Sequence, residues 1–224
     1  HLASAKPMTL YLEQSEMKNL PIGGVWEGSV KLQFTNPSTD YRADITLNVL
    51  DPNHIDVFFP EFAHATPRVQ LDLHPTGSVN GNNYAQDLTM LDMCLYDGKN
   101  STSTRAYLRF EDDGLPSADR AEGAFSIRRR GGSQTDARDR LDYRVSVTNP
   151  ITGATESVAN GKTMVWQGTN DPQYLRQVVL PGGRESVLCI PAPIILKTPA
   201  FAASSKNAGD YTGTLRVIYT PSTL

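Results

Sequence analysis

The chain has 224 residues, 39% of them hydrophobic and 20% charged, and carries a net charge of −3 at pH 7. This composition supports a packed core and excludes intrinsic disorder, and the mildly acidic balance gives no electrostatic case for nucleic acid or an anionic membrane as partner. No apolar run approaches the ~18 residues of a membrane-spanning helix.

His1-Leu2-Ala3-Ser4 reads as a tag remnant, and residues 5–224 read as one domain, since no composition shift or internal repeat divides them. Over 8–13, Met8, Leu10 and Leu12 alternate with Thr9, Tyr11 and Glu13, the period of a half-buried strand. A short helical turn or bend follows over 15–21, with turn chemistry at 21–24. Strands are expected over 25–34 (Trp26, Val30, Leu32 and Phe34 sharing parity), 43–51, 54–62 and 68–75, the last turning Val69, Leu71 and Leu73 inward. Residues 89–114 read as a hairpin around a polar turn, Asp97-Gly98-Lys99-Asn100-Ser101. Further strands and turns follow over 124–132, 142–158, 162–168 and 177–198, while 112–142, polar and rich in Gly, Asp and Arg, reads as a long loop. The chain closes on strict alternation: Tyr211, Gly213, Leu215, Val217 and Tyr219 against Thr212, Thr214, Arg216, Ile218 and Thr220. Short strands between turn signals, with no long amphipathic helix, make the fold class all-β, a sandwich.

No catalytic spacing is present: the chain lacks G-x-S-x-G, H-E-x-x-H and a Gly-rich phosphate loop. An enzyme is therefore not expected, nor a cofactor. His54, His64 and His74 read as separate histidines rather than a cluster, and Asp92, Asp97, Asp112 and Asp113 as turn residues rather than a calcium site, so no metal is expected. Arg128, Arg129 and Arg130 could contact an anionic host glycan, but Asp136, Asp139 and Asp142 interleave with the nearby arginines, and the loop reads as self-neutralising, exposed and dispensable for folding. Asn100-Ser101-Thr102 matches a glycosylation sequon, which matters only in a eukaryotic source. Cys94 and Cys189 are either reactive thiols or one long-range disulfide; the disulfide is the expectation, and with it an oxidising compartment.

Three stretches carry a family resemblance: "FPEFAHATPRVQLDLHP" (59–75), "LDMCLYDGKNSTSTRAYLRFEDD" (91–113) and the terminal "GDYTGTLRVIYTPSTL". They resemble the pilin domain of tip subunits of class 5 (alternate chaperone–usher) fimbriae, as in enterotoxigenic Escherichia coli colonisation-factor and cable pili. The resemblance implies an immunoglobulin-like sandwich lacking its final strand. A periplasmic pilus chaperone, and then the N-terminal donor strand of the adjacent pilin, would fill the resulting groove, after passage through an outer-membrane usher to the fimbrial tip at the cell surface. Tyr211, Gly213, Leu215, Val217 and Tyr219 would form one groove wall, with Gly213 leaving room for a bulky donor residue, and Met8, Leu10 and Leu12 the other. The family's N-terminal adhesin domain, a partner within the full-length protein, is expected to be absent from this chain. The second reading is a host-glycan-binding sandwich module.

Overall fold

β1 (Gly24–Thr35) and β2 (Ser38–Val49) form an antiparallel hairpin in unbroken register from Gly24↔Val49 to Thr35↔Ser38. Alternation places half-buried Val30, Leu32, Ile45, Leu47 and Val49 on one face, with exposed Glu27, Ser29, Lys31, Arg42 and Asp44 on the other. Among the described residues no other element packs along this hairpin. It is anchored at its base, where Asp51 N donates to Gly98 O at 2.9 Å and a Cβ on Gly23 would collide with the same carbonyl.

The structure is a computed structural model that describes residues 9–17, 19–20, 23–35, 38–51, 55–62, 66–73, 75–79, 82–180 and 186–222. Met8, the N-terminal tetrapeptide, His54, His64 and His74 lie outside the described residues. α1 (Gln14–Met17) is a single helical turn. Residues 9–13 form no strand, and Leu10 and Leu12 are 56% and 55% exposed, which corrects the strand expected there. Apolar alternation makes a strand only where a neighbouring edge takes up its backbone groups, and among the described residues no strand pairs with this stretch.

Beyond the hairpin run β3 (Ile55–Phe58), β4 (Pro75–Val79), β5 (Asn82–Leu91), β6 (Cys94–Asp97), β7 (Arg105–Asp112), β8 (Phe125–Arg129) and β9 (Arg140–Thr148). They are followed by β10 (Thr155–Val158), β11 (Thr163–Gln167), β12 (Arg176–Val179), β13 (Ser186–Pro191), β14 (Ile194–Ala202), β15 (Tyr211–Thr212) and β16 (Leu215–Pro221). One layer is a 7-stranded sheet in the order β15-β8-β9-β14-β5-β4, with β10 also paired to β9. The other combines β11-β7-β16 with β12-β13-β6-β3, and these two sheets meet where β16 lies against β3 and β6. All pairings are antiparallel, and the fold is a β-sandwich.

Between the layers lie Leu108 and Phe110 of β7, Leu95 of β6, Tyr143, Val145 and Val147 of β9, and Ile194 of β14. Every residue of β6 is buried, because its other face meets a second cluster of Phe58, Cys94, Tyr96, Val187 and Cys189. Cys94 and Cys189 are disulfide-bonded across a sequence separation of 95.

Two sequence expectations are corrected here. β6 and β7 do not form a hairpin: β6 pairs with β3 and β13, β7 with β11 and β16. The polar turn carries the chain from one sheet to the other. The buried Asp97 carboxylate accepts from Lys99 N, Ser101 N and Ser103 N, while Asn100 Oδ1 and Ser101 Oγ bond Leu188 N and Leu188 O. The stretch 112–142 is a folded excursion rather than a long loop. It contains β8, and Asp112 accepts there from Arg120 Nη1, Ser126 N and Asn160 Nδ2.

Candidate functional site

β16 gives one edge to β7, from Leu215↔Asp112 to Pro221↔Ala106. Its other edge has no ladder partner among the described residues. Leu215, Val217 and Tyr219 are half-buried, Arg216, Ile218 and Thr220 exposed, so the parity read from sequence holds in the fold. Beside this edge opens a groove of about 1750 Å³.

The groove is also lined by the segment 66–73, which is extended but belongs to no strand. Its Val69, Leu71 and Leu73 are half-buried and alternate with exposed Arg68, Gln70 and Asp72. Phe59, Leu91, Ile127, Tyr143 and Ile194 line it as well, and Ile55 and Val57 of β3 with Arg130 and Tyr211 add to the lining. The groove is thus of mixed polarity and runs along the β16 edge that has no ladder partner among the described residues, where an added strand would find main-chain partners and alternate side-chain pockets. Leu10 and Leu12, expected as its second wall, do not line it, and residues 66–73 stand in their place. The signal for that wall was present in the Val69/Leu71/Leu73 alternation; periodicity reports an inward face but not whether the strand has a neighbour.

The terminal alternation is not one strand. β15 pairs with β8 in the larger sheet, β16 pairs with β7 in the opposing layer, and the chain crosses at Gly213-Thr214. A Cβ on Gly213 would sit 2.9 Å from Ile127 Cγ2, so this glycine lets the crossing pack on β8 rather than leaving room for a donor residue. Tyr219 is held by burial, with Asp97 adding to the effect, so that its phenol is pushed well above its ordinary pKa.

The arginine loop is only in part the exposed segment expected from its charges. Arg128 is 9% exposed; Arg129 pairs with Asp139, and Arg140 with Asp119 and Asp142, leaving Arg130 as the exposed member of the triplet. The Arg129 guanidinium, then Asn207 and Ser133 N, hold the Asp139 carboxyl well below the usual carboxylate range. Arg140 likewise holds Asp119 at about 2. Alternating charge in sequence became paired, largely buried charge because the partners come from separate turns folded over β8 and β9.

The geometry is that of a disulfide-bonded antiparallel sandwich with an open strand edge beside a groove. The family model for the second domain of the CFA/I fimbrial protein CfaE matches residues 55–223, and that for its first domain matches residues 2–52. The chain belongs to the CfaE family of CFA/I fimbrial proteins, whose members are non-enzymatic fimbrial adhesins. It is 29% identical to the CFA/I fimbrial protein CfaE of Escherichia coli over 227 residues, covering 98% of this chain and 58% of that protein. The crystal structure of CfaE, the adhesive component of the CFA/I fimbria of enterotoxigenic Escherichia coli, matches with a TM-score of 0.71 at 27% identity, over 93% of this chain and 56% of that one. A chain from a chaperone–tip adhesin complex of CFA/I fimbria biogenesis matches with a TM-score of 0.57 at 26% identity, over 92% of this chain and 55% of that one. The chain therefore spans a little over half the length of the relatives it matches.

Proposed function

We propose that residues 55–222 act as the pilin half of a fimbrial tip adhesin, joining it to the shaft and starting assembly by accepting a strand in the groove beside β16. The observation that carries this is the edge of β16, which has no ladder partner among the described residues, lying along a groove that the extended segment 66–73 also lines. A periplasmic chaperone would lend the first strand, and the N-terminal strand of the adjacent pilin would replace it at the outer-membrane usher. The likeness to a chaperone–tip adhesin complex supports a chaperone as partner. In place of the single domain expected from sequence, we propose a boundary between residues 52 and 55, with the β1–β2 hairpin belonging to a first, receptor-binding domain. The two family models meet there, and the hairpin stands clear of the sandwich. The mature location that follows is the fimbrial tip, after transit through the periplasm.

The test is a titration with a synthetic strand peptide alternating valine with threonine. A ligand that binds only the folded state stabilises it by about 2.7 kcal/mol at 100 times its Kd. The melting temperature should rise with this peptide and not with one of the same composition with its alternation scrambled. Equal effects from the two would count against a strand-accepting groove. The glycan-binding alternative draws little from the arginine loop, where Arg128 and Arg129 are already engaged.

A further inference from the structure

Before the chain crosses between layers, residues 206–211 are tied to the arginine loop along their length. Asp139, 3% exposed, accepts from Arg129 Nε and Nη2, from Ser133 N and from Asn207 Nδ2. Asn207 N donates to Arg138 O at 2.9 Å, and Arg130 N donates to Asp210 O at 2.8 Å. The Tyr211 hydroxyl lies 2.9 Å from Arg138 O and 2.7 Å from Asn207 O, and Lys206 Nζ donates to Ala137 O at 2.8 Å. Gly209, at φ +146, packs so closely that a Cβ would meet Arg129 Cδ at 3.0 Å. The same strap supplies groove lining, through Arg130, Gly209, Asp210 and Tyr211.

We propose that this network is a clamp fixing one end of the groove, with Asp139 as its positioning residue, so that it governs how tightly a strand is held rather than whether the sandwich folds. The inference rests on the reading of the groove as a strand acceptor. Its physical basis is preorganisation: an incoming strand gains its hydrogen bonds and side-chain contacts only if the lining is already in place, and a loosened 207–211 would have to be ordered on binding. Most of the core lies between β5, β6, β7, β9, β13 and β14, away from this strap, so the sandwich does not depend on it to form.

The experiment uses the full chain carrying Asn207→Ala with Tyr211→Phe, which removes the side-chain ties of Asn207 and Tyr211 and so loosens the strap but keeps the aromatic ring in the groove. The probe is the valine–threonine peptide, with Kd read by fluorescence anisotropy and local opening by amide hydrogen exchange. The expected result is a Kd weakened about tenfold or more, faster exchange at the Arg130 amide, and unchanged exchange in β7 and β9. An unchanged Kd overturns the clamp, and so does a weakened Kd accompanied by faster exchange throughout β7 and β9, since the network would then be structural. Val217→Asp, measured in parallel, separates the two claims. If it abolishes binding while the double variant binds normally, the acceptor reading stands and the clamp falls; if Val217→Asp binds as the parent does, the acceptor reading falls.

Discussion

Asp112 lies at the end of β7 with its side chain 3% exposed, facing the Arg120 guanidinium at 2.9 Å, Ser126 N and Asn160 Nδ2. Removing one partner of such a buried pair leaves the other uncompensated, at a cost of about 3–5 kcal/mol. Asp112→Ala should lose stability of that order in urea denaturation, and Asp112→Asn less, since the amide keeps the shape and one acceptor. A loss below about 1 kcal/mol in the alanine variant would show that the pair is not effectively buried. Asp139 makes a prediction about pH. Its carboxyl is held down by Arg129 above all, so its folded pKa lies below the unfolded value of about 3.9. Its contribution is therefore fully present above about pH 4 and is lost as pH falls through the folded value. The difference in melting temperature between the parent and Asp139→Asn should be small but measurable at neutral pH and shrink steadily below about pH 4. A difference that stays constant down to pH ~2 would mean that the carboxylate charge contributes nothing.

Among the elements, β16 carries the sharpest contrast. Both Leu215 and Arg216 line the groove, but Leu215 is half-buried against the core whereas Arg216 is exposed. Leu215→Asp would replace a half-buried side chain packed against the core by an unpaired charge, which is unfavourable. It should abolish capture of the chain by the chaperone in a pull-down, whereas Arg216→Asp should largely retain it. If both variants are captured alike, the acceptor edge lies elsewhere. The disulfide links β6 to β13 and closes a loop with a sequence separation of 95, for which the chain-entropy model gives about 4–5 kcal/mol. Cys94→Ala with Cys189→Ala should lower stability towards that figure, and a loss under about 1 kcal/mol would indicate that the unfolded chain is already restricted there.

For the whole molecule, the sandwich carries its own core, and the β1–β2 hairpin touches it chiefly at the Gly23, Asp51 and Gly98 junction. A two-stranded hairpin is at best marginally stable alone, so its half-buried apolar face adds little to the sandwich. Deleting residues 1–52 should shift the melting temperature of the rest by no more than about 3 °C. A fall of more than about 10 °C would show that the hairpin and sandwich fold as one unit, against the proposed boundary.

The amino-acid sequence determined by itself the all-β class and the inward parity of Leu215, Val217 and Tyr219. These depend on local period and composition, which a chain carries in any context. Only the tertiary structure decided which strands are neighbours. It separated β6 from β7, split the terminal alternation at Gly213, left 9–13 outside any strand and brought 66–73 and β16 to one groove. Period-2 alternation names a buried face but is silent about the backbone edge, because the hydrogen bonds that complete a strand come from residues distant in sequence. For the same reason the whole arginine loop read as solvated: its Asp139 is buried and hydrogen-bonded by partners such as Asn207 that only the folded chain brings within reach.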